Sequence, residues 1–117
     1  MDDERAATVI KKMVAMFSNG DLTGLEATVA PGYLDHQGLG GEPIRGTAGF
    51  ATVVAAARGG CRALDVTIED LIAADDRAAA RLRWRCTRPS GEVVERETLE
   101  IVRISDGKAL EHWGGRC

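Results

Sequence analysis

Glu100 and His112 are the residues best suited to acid–base chemistry, because they lie on two strands that a tight turn is predicted to join. A carboxylate on a mostly apolar sheet face is costly to bury without a partner, and a histidine is a natural one. Such a pair can abstract and return a proton if it lines a cavity. The same pair can also be a satisfied polar couple with no chemical role, so its place in the fold decides between the two interpretations.

Two registers of the last hairpin place Glu100 differently. If Asp106-Gly107 alone forms a two-residue turn, Glu100 faces Trp113. If residues 105–107 form a three-residue loop with a left-handed glycine at its third position, Glu100 lies opposite His112. We favour the three-residue loop, because a residue other than glycine opens the turn and the glycine stands third in it.

The preceding hairpin also predicts that Glu100 points inward. An even register across residues 89–91 sets Ala80 against Glu100 and Arg83 against Glu97. The small alanine leaves room for a ligand on the inner face, whereas the alternate arginines of its strand are predicted to form a charge ladder on the outer face. The same register predicts the pairs Arg85 with Glu95 and Leu82 with Thr98.

Helical segments precede these strands along the chain. Apolar residues from Ala6 to Phe17 recur at helical spacing, and Asn19-Gly20 is predicted to end this first helix. Asp21 is predicted to cap a short second helix, which Pro31-Gly32 stops, and a third helix is predicted over residues 47–57. The other predicted elements are a short extended piece at 33–36, a loop at 37–46 and four alternating strands from residue 64 onward.

Helices followed by a meander of strands indicate an α+β fold, with N-terminal helices packed on one face of a strongly curved antiparallel sheet. The chain has 117 residues, which predicts one domain over residues 1–117. The abundance of arginine, alanine and glycine is typical of a GC-rich bacterial genome.

Composition excludes several classes of function. The net charge of −3 offers no electrostatic basis for binding nucleic acid or an anionic membrane. No apolar run reaches the ~20 residues that span a bilayer. The three cysteines have no metal-ligand spacing, and their odd number argues against the disulfide framework of a secreted protein. Together with an acidic N-terminal segment, these features predict a protein of the reducing cytoplasm without a bound metal.

The order and spacing of several short motifs resemble the SnoaL-like polyketide cyclase family of the NTF2-like (cystatin-like) superfamily. The resemblance covers nearly the whole chain. It implies a cone-shaped α+β domain whose interior holds a small hydrophobic ligand without a cofactor, usually in a homodimer. The matching segments are Phe17-Ser18-Asn19-Gly20-Asp21, Pro31-Gly32-Tyr33-Leu34-Asp35-His36, Val66 to Ile72, Asp75-Asp76-Arg77, Arg103 to Lys108 and Glu111-His112-Trp113.

The resemblance also implies where the family's functional positions fall. The family's catalytic carboxylate matches Gly114, its pocket histidine matches Glu100, and its pocket asparagine matches Asp35. All three residues of this chain differ from the family's, and two of the replacements are acidic.

We therefore predict a cofactor-free enzyme, a cyclase or isomerase of secondary metabolism, that acts on a small and largely apolar metabolite. Glu100 is the predicted general base, and His112 is predicted to orient it or to act as the conjugate acid. Asp35 is predicted to be a second acid or base, or a hydrogen-bond acceptor. The side chains expected to shape the pocket are Tyr33, His36, Trp84, Arg96 and Thr98.

Two other functions fit the same sequence. A non-catalytic ligand-binding or dimerisation module is the main alternative, which the glycine at position 114 favours. An epoxide hydrolase would need an Asp–Arg–Asp group around a water, with Arg96 as the inner-face arginine. In either case we expect a homodimer through the outer sheet face, where Leu99, Ile101 and Trp113 would otherwise be exposed.

Overall fold

Within residues 2–117, which the computed structural model describes, the chain forms three helices and six strands. The helices come early and the four-stranded meander follows them, which confirms the predicted α+β order. The elements are α1 (Asp2–Asn19), α2 (Leu25–Thr28), β1 (Val29–Leu39), β2 (Glu42–Arg45), α3 (Gly46–Gly59), β3 (Ala63–Ala74), β4 (Arg77–Thr87), β5 (Val93–Ser105) and β6 (Lys108–Arg116).

Helix α1 buries the apolar stripe that the sequence predicts. Val9, Ile10 and Met13 are all buried, and the helix packs on β3, β4 and β5. Gly20 follows its last residue with a φ of +72°, the left-handed conformation that commonly ends a helix. Among residues 2–117, neither this helix nor another combines the length and apolarity that crossing a membrane requires.

Arg58 of α3 ties the two long helices together. Its Nη1 donates hydrogen bonds to the carbonyl oxygens of Phe17 and Ser18, each at 2.8 Å. A cation at a helix C-terminus satisfies carbonyl groups that lack a partner within the helix and complements the helix dipole. The contact therefore holds α1 and α3 side by side over the sheet.

The segment between the two long helices differs from its prediction. Helix α2 is a single turn, and Asp21 does not cap it, because the Asp21 carboxylate accepts a hydrogen bond from the Thr23 amide instead, at 2.9 Å. The extended piece predicted at 33–36 belongs to the 11-residue strand β1, and the loop predicted at 37–46 contains β2. Gly40-Gly41, both with positive φ, make the tight turn that folds β2 back onto β1.

The sheet is mixed, which corrects the prediction of a purely antiparallel one. Its strand order is β2-β1-β6-β5-β4-β3, and β1 runs parallel to β6 while the other neighbours are antiparallel. Helix α1 packs on β3 to β5 and helix α3 packs on β1. Both helices therefore cover the inner face of the curved sheet. A parallel pair between the first and last strands needs a long connection, here the whole intervening chain.

The turn of the last hairpin has two residues, so the predicted three-residue loop was wrong. Asp106 and Gly107 both have positive φ, at 53° and 76°, and Ser105 pairs with Lys108. Positive φ at both central residues is the mark of a type I′ turn, whose twist matches that of the flanking strands.

A β-bulge follows this turn and reverses its effect on side-chain direction. Ile104 pairs with Ala109, but Arg103 pairs with Glu111, so Leu110 is an extra residue in β6. One extra residue exchanges the inward and outward positions of everything beyond it. The residues of β6 after Leu110 therefore lie on the same faces as the three-residue loop predicts, and His112 still points inward like Glu100.

The register of β4 against β5 is confirmed. Ala80 pairs with Glu100 and Arg83 with Glu97, and the outer face carries the predicted charge ladder. Arg83 Nε lies 2.7 Å from Glu69 Oε1 in that ladder. Such exposed pairs contribute little to stability individually. The other predicted pairs, Arg85 with Glu95 and Leu82 with Thr98, are also present.

Two of the three cysteines form a disulfide, which the odd cysteine count did not predict. Cys61 and Cys86 are bonded, with their Cα atoms 5.4 Å apart, and Cys117 is free. The turn after α3 brings Cys61 beside the end of β4, because Leu64 of β3 pairs with Cys86. A cytoplasmic location stays a prediction.

Candidate active site

Three polar side chains meet on the inner face of adjacent strands. His112 of β6 lies between Asp35 of β1 and Glu100 of β5. Its Nδ1 is 2.8 Å from Asp35 Oδ1, and its Nε2 is 2.5 Å from Glu100 Oε1. The structure thus brings together the three residues that the sequence singled out for chemistry, in one hydrogen-bonded triad.

Glu100 and His112 touch diagonally rather than as a directly opposed pair, which corrects the predicted register. His112 pairs with Val102, and Glu100 pairs with Gly114. Because Gly114 has no side chain, the Glu100 carboxylate extends over it and reaches the histidine two residues away. A Cβ built at Gly114 would overlap Glu100 Oε1 and Gln37 Oε1.

We expect Gly114→Ala to destabilise the protein by about 1–3 kcal/mol, the usual cost of overpacking a filled site. Its methyl group would push the Glu100 carboxylate away from His112. Urea denaturation of the variant measures this cost. Gly115→Ala is the matched control, because a Cβ there meets nothing within 4 Å. Equal losses in both variants would show that the crowding at Gly114 has no structural consequence.

Burial and charge give the triad its protonation state. Burial would raise the pKa of Asp35, but the hydrogen bond and charge of His112, with the amides of Gly38 and Gln37, hold it below its ordinary value. Burial would likewise lower the pKa of His112, but Asp35 and Glu100 raise it to about 9. At neutral pH the ring is therefore an imidazolium, and it can donate one hydrogen bond to each carboxylate.

The triad forms one wall of a cavity of about 340 Å³. Helices α1 and α3 contribute apolar side chains to the roof, and the sheet contributes the floor. An apolar enclosure with a few convergent polar groups is the usual form of a small-molecule site. Apolar lining residues include Ile10, Met13, Phe17, Phe50, Val53, Leu82 and Val102.

Four of the five predicted pocket residues line this cavity. Trp84 Nε1 donates a hydrogen bond to Thr98 Oγ1 at 2.8 Å, and the Arg96 guanidinium lies 4.9 Å above the Trp84 ring. Tyr33 is buried beside the triad, and this burial, with the charges of Asp35 and Glu100, raises the pKa of its hydroxyl well above the ordinary value. The Tyr33 hydroxyl therefore stays protonated.

His36 lies outside the cavity, contrary to its prediction. It is on the outer face, where its Nε2 is 2.8 Å from Glu111 Oε2 and its ring stacks on Trp113 at 5.1 Å. The reason is the alternation of β1: since Asp35 points inward, the next residue points outward. Recognising residues 33–36 as part of a long strand would have excluded His36 from the pocket.

Two cavity residues were missed by the sequence analysis. Gln37 reaches the space above Gly114, and Arg116 lies at the far end of β6. The alternation of side chains along a strand predicts both positions. Gln37 lies two residues after Asp35, and Arg116 lies two residues after Gly114, so each shares the inner face of its strand. Among the residues that the structure describes, no three His, Cys, Asp or Glu side chains are arranged as metal ligands.

A sequence profile of the SnoaL-like domain matches residues 10–112. The chain belongs to the SnoaL-like domain family. This match runs from the middle of α1 to His112 in β6, and it therefore includes all three residues of the triad. A search of curated proteins finds no match.

Solved structures of this fold include proteins described with several activities. A proposed polyketide cyclase from Bacillus cereus ATCC 10987 is 23% identical, with a TM-score of 0.85, over 96% of this chain and 74% of its own. IdmH, a proposed polyketide cyclase from Streptomyces antibioticus, is 24% identical, with a TM-score of 0.82, over 95% of this chain and 91% of its own. An LEH-like epoxide hydrolase of M. tuberculosis is 14% identical, with a TM-score of 0.81, over 100% of this chain and 86% of its own. These similarities establish the NTF2-like fold.

Proposed function

We propose that this SnoaL-like protein is a cofactor-independent acid–base enzyme, a cyclase or isomerase that acts on a small and largely apolar metabolite. The observation that carries the proposal is the Asp35–His112–Glu100 triad in the wall of an apolar cavity. Removing a proton from a carbon next to a carbonyl needs a positioned base that a substrate can reach, and Glu100 in the wall of this apolar cavity supplies one.

Glu100 is the proposed base. Its Oε1 is engaged by His112, whereas its Oε2 has no hydrogen-bond partner among the residues that the structure describes, and the side chain lines the cavity. Oε2 takes the proton from the substrate carbon, and the substrate becomes an enolate while the carboxylate becomes neutral. His112 holds the carboxylate in place, and Asp35 holds the ring through Nδ1, so both are positioning residues.

Tyr33 is the proposed donor to the enolate oxygen. Its hydroxyl stays protonated, makes no hydrogen bond to a group within residues 2–117 and lies beside the cavity. A fixed donor aimed at the oxygen where charge develops stabilises the transition state. The enolate carbon then attacks a second carbonyl of the same molecule, and the new alkoxide recovers the proton from Glu100. An isomerase would return that proton to a different carbon.

The family and the solved structures support the cyclase form of this proposal. Two proteins of the same fold are described as proposed polyketide cyclases, and polyketides carry the alternating carbonyl groups that such a closure needs. We therefore propose a role in bacterial secondary metabolism. A location in the cytoplasm is a separate prediction from the sequence, and the bond between Cys61 and Cys86 does not support it.

Exchange of carbon-bound protons tests the proposal without knowledge of the natural substrate. The probe is 2-tetralone, a neutral bicyclic ketone, incubated with the protein in D₂O and followed by NMR. We expect the wild-type protein to accelerate deuterium uptake next to the carbonyl above the buffer rate. If titration shows that 2-tetralone binds and its exchange is not accelerated, the proposal is wrong and a non-catalytic binding module is the better description.

An epoxide hydrolase is less well supported. That chemistry needs an arginine between two aspartates, but Arg96 lies over Trp84 and has no carboxylate within 4 Å among the residues that the structure describes. The carboxylates of the triad engage a histidine instead.

We further propose that two copies associate through the outer sheet face. Ile72, Ala79, Ile101 and Trp113 are successive cross-strand neighbours there, and Leu99 lies beside them with 55% of its surface exposed. An apolar row with a ladder of both charge signs beside it can meet its own copy about a two-fold axis.

We expect the wild-type protein to be a dimer at micromolar concentration and Leu99→Arg to be a monomer, because the variant places a charge directly beside the apolar row. Light scattering measures the mass. Thr52→Arg adds the same charge on the exposed face of α3 and should leave the dimer intact. A monomeric wild-type protein, or a dimer that survives Leu99→Arg, would contradict this interface.

A further inference from the structure

Arg96 and Arg116 form a cationic end of the cavity, each four residues along the strand that carries Glu100 or His112. Arg96 lies on the inner face of β5 opposite Trp84, and Arg116 lies on the inner face of β6 opposite Thr98. Both residues are exposed, and both line the main cavity and a second cleft that shares Trp84 with it. The two guanidinium groups therefore stand on neighbouring strands at the same end of the site.

Within residues 2–117, no carboxylate lies within 4 Å of Arg96 or Arg116. On the outer face Arg81, Arg83 and Arg103 are paired, whereas Arg85 has no carboxylate within that distance among the described residues. Partial burial and then the charge of Arg116 lower the pKa of Arg96, whereas the charge of Glu100 raises it. The two cations therefore repel each other, and Glu100 offsets part of that repulsion. An anion placed between them would relieve this repulsion.

We infer that the substrate carries a carboxylate that binds between Arg96 and Arg116. This inference rests on the proposed function, since it names the class of substrate for the same cavity. The planar guanidinium group matches a carboxylate by paired hydrogen bonds. The natural substrate would then be a carboxylic acid with an apolar, carbonyl-bearing body.

The charges at the two ends also set the orientation of the substrate. The triad contains two acidic side chains and one histidine, so its end of the cavity is less favourable for an anion than the end with the two arginines. Arg96 and Glu100 are four residues apart on the same face of β5, which separates their backbones by about 13 Å. A substrate held by its carboxylate at the arginines therefore presents its distant carbon atoms to Glu100.

Calorimetric titration with 2-naphthoate and its neutral counterpart 2-naphthamide tests the inference. The two probes have the same shape and differ in charge at pH 7. We expect the wild-type protein to bind the acid about tenfold more tightly than the amide, since hydrogen bonds between charged groups contribute at least that factor. Added salt should weaken binding of the acid more than binding of the amide.

Arg116→Gln and Arg96→Gln should each remove most of this preference while leaving binding of the amide nearly unchanged. Arg85→Gln is the matched control, because it removes the same charge from the outer face of the neighbouring strand. Its preference for the acid should equal that of the wild type. Since Arg96 contacts Trp84, Arg116→Gln is the variant whose result does not depend on that contact.

Equal affinities of the wild-type protein for acid and amide would overturn the inference. A preference that persists in both arginine variants would also overturn it. The result is independent of turnover: if 2-tetralone binds without exchange but the acid preference depends on the arginines, the proposed enzyme function fails and the anion site remains. If 2-tetralone exchange is accelerated but the protein shows no preference for the acid, the proposed enzyme function stands and the anion site is wrong.

Discussion

Replacing Glu100 by glutamine should lower the rate of deuterium exchange into 2-tetralone by about a hundredfold or more, the usual contribution of a positioned general base. The amide has nearly the same shape and can still bond to His112, but it cannot accept a proton from carbon. The affinity for 2-tetralone should therefore change little. NMR exchange rates and calorimetric titration of the same variant separate the two effects.

Glu97→Gln is the control for this experiment. Glu97 lies three residues away on the same strand but on the outer face, where it pairs with Arg83 and Arg81. This variant undergoes the same chemical change without touching the cavity, so its exchange rate should equal that of the wild type. If Glu100→Gln retains the wild-type rate, Glu100 is not the base.

The free energy of unfolding should fall by roughly 3 kcal/mol as the pH rises from about 6.5 to about 9, because of His112 alone. The pKa of His112 is about 9 in the folded protein, above its ordinary value of 6.5. A group with a raised pKa binds its proton more tightly when folded, so its stabilising effect is complete below the lower value. That effect is lost as the pH rises through the folded pKa. The loss is a large part of the total stability of a small domain.

Urea denaturation across pH 6 to 10 measures this loss, with His112→Gln as the reference. The difference between wild type and variant isolates the histidine, because other groups that titrate in this window are common to both. At pH 7 the variant should be less stable by about 3–5 kcal/mol, since two buried carboxylates lose their cation. Adding Glu100→Gln to His112→Gln should recover part of that loss. Parallel pH profiles would show that the ring carries no extra proton in the folded state.

Local patterns in the sequence predicted most of the elements and the pairing of neighbouring strands within the meander β3 to β6. The apolar spacing of α1 and the alternation of β3 to β6 depend on neighbours a few residues apart, so they can be read directly from the chain. The pairing of β4 with β5 followed from a short turn between two strongly patterned strands. This placed Glu100 on the inner face, and the resemblance to a known family predicted that a cavity lies in front of it.

The location of Glu100 beside His112 was predicted for a reason that is only partly right. The predicted three-residue loop and the observed two-residue turn with a bulge at Leu110 both leave these residues on the same face. A bulge depends on packing and twist in the whole sheet, and a short sequence pattern does not show it. The diagonal contact then depends on Gly114, whose missing side chain makes room for the carboxylate.

The partnership of Asp35 with His112 was decided by the tertiary structure. It exists because β1 lies parallel to β6 after a connection that spans most of the chain, and no local signal specifies such a long-range pairing. The same holds for the bond between Cys61 and Cys86, which depends on how α3 meets the end of β4. The sequence therefore determined which residue types can perform acid–base chemistry and, for β4 and β5, which face of the strand they occupy. Only the folded sheet determined which of them touch, because contacts between distant segments depend on the packing of the whole domain.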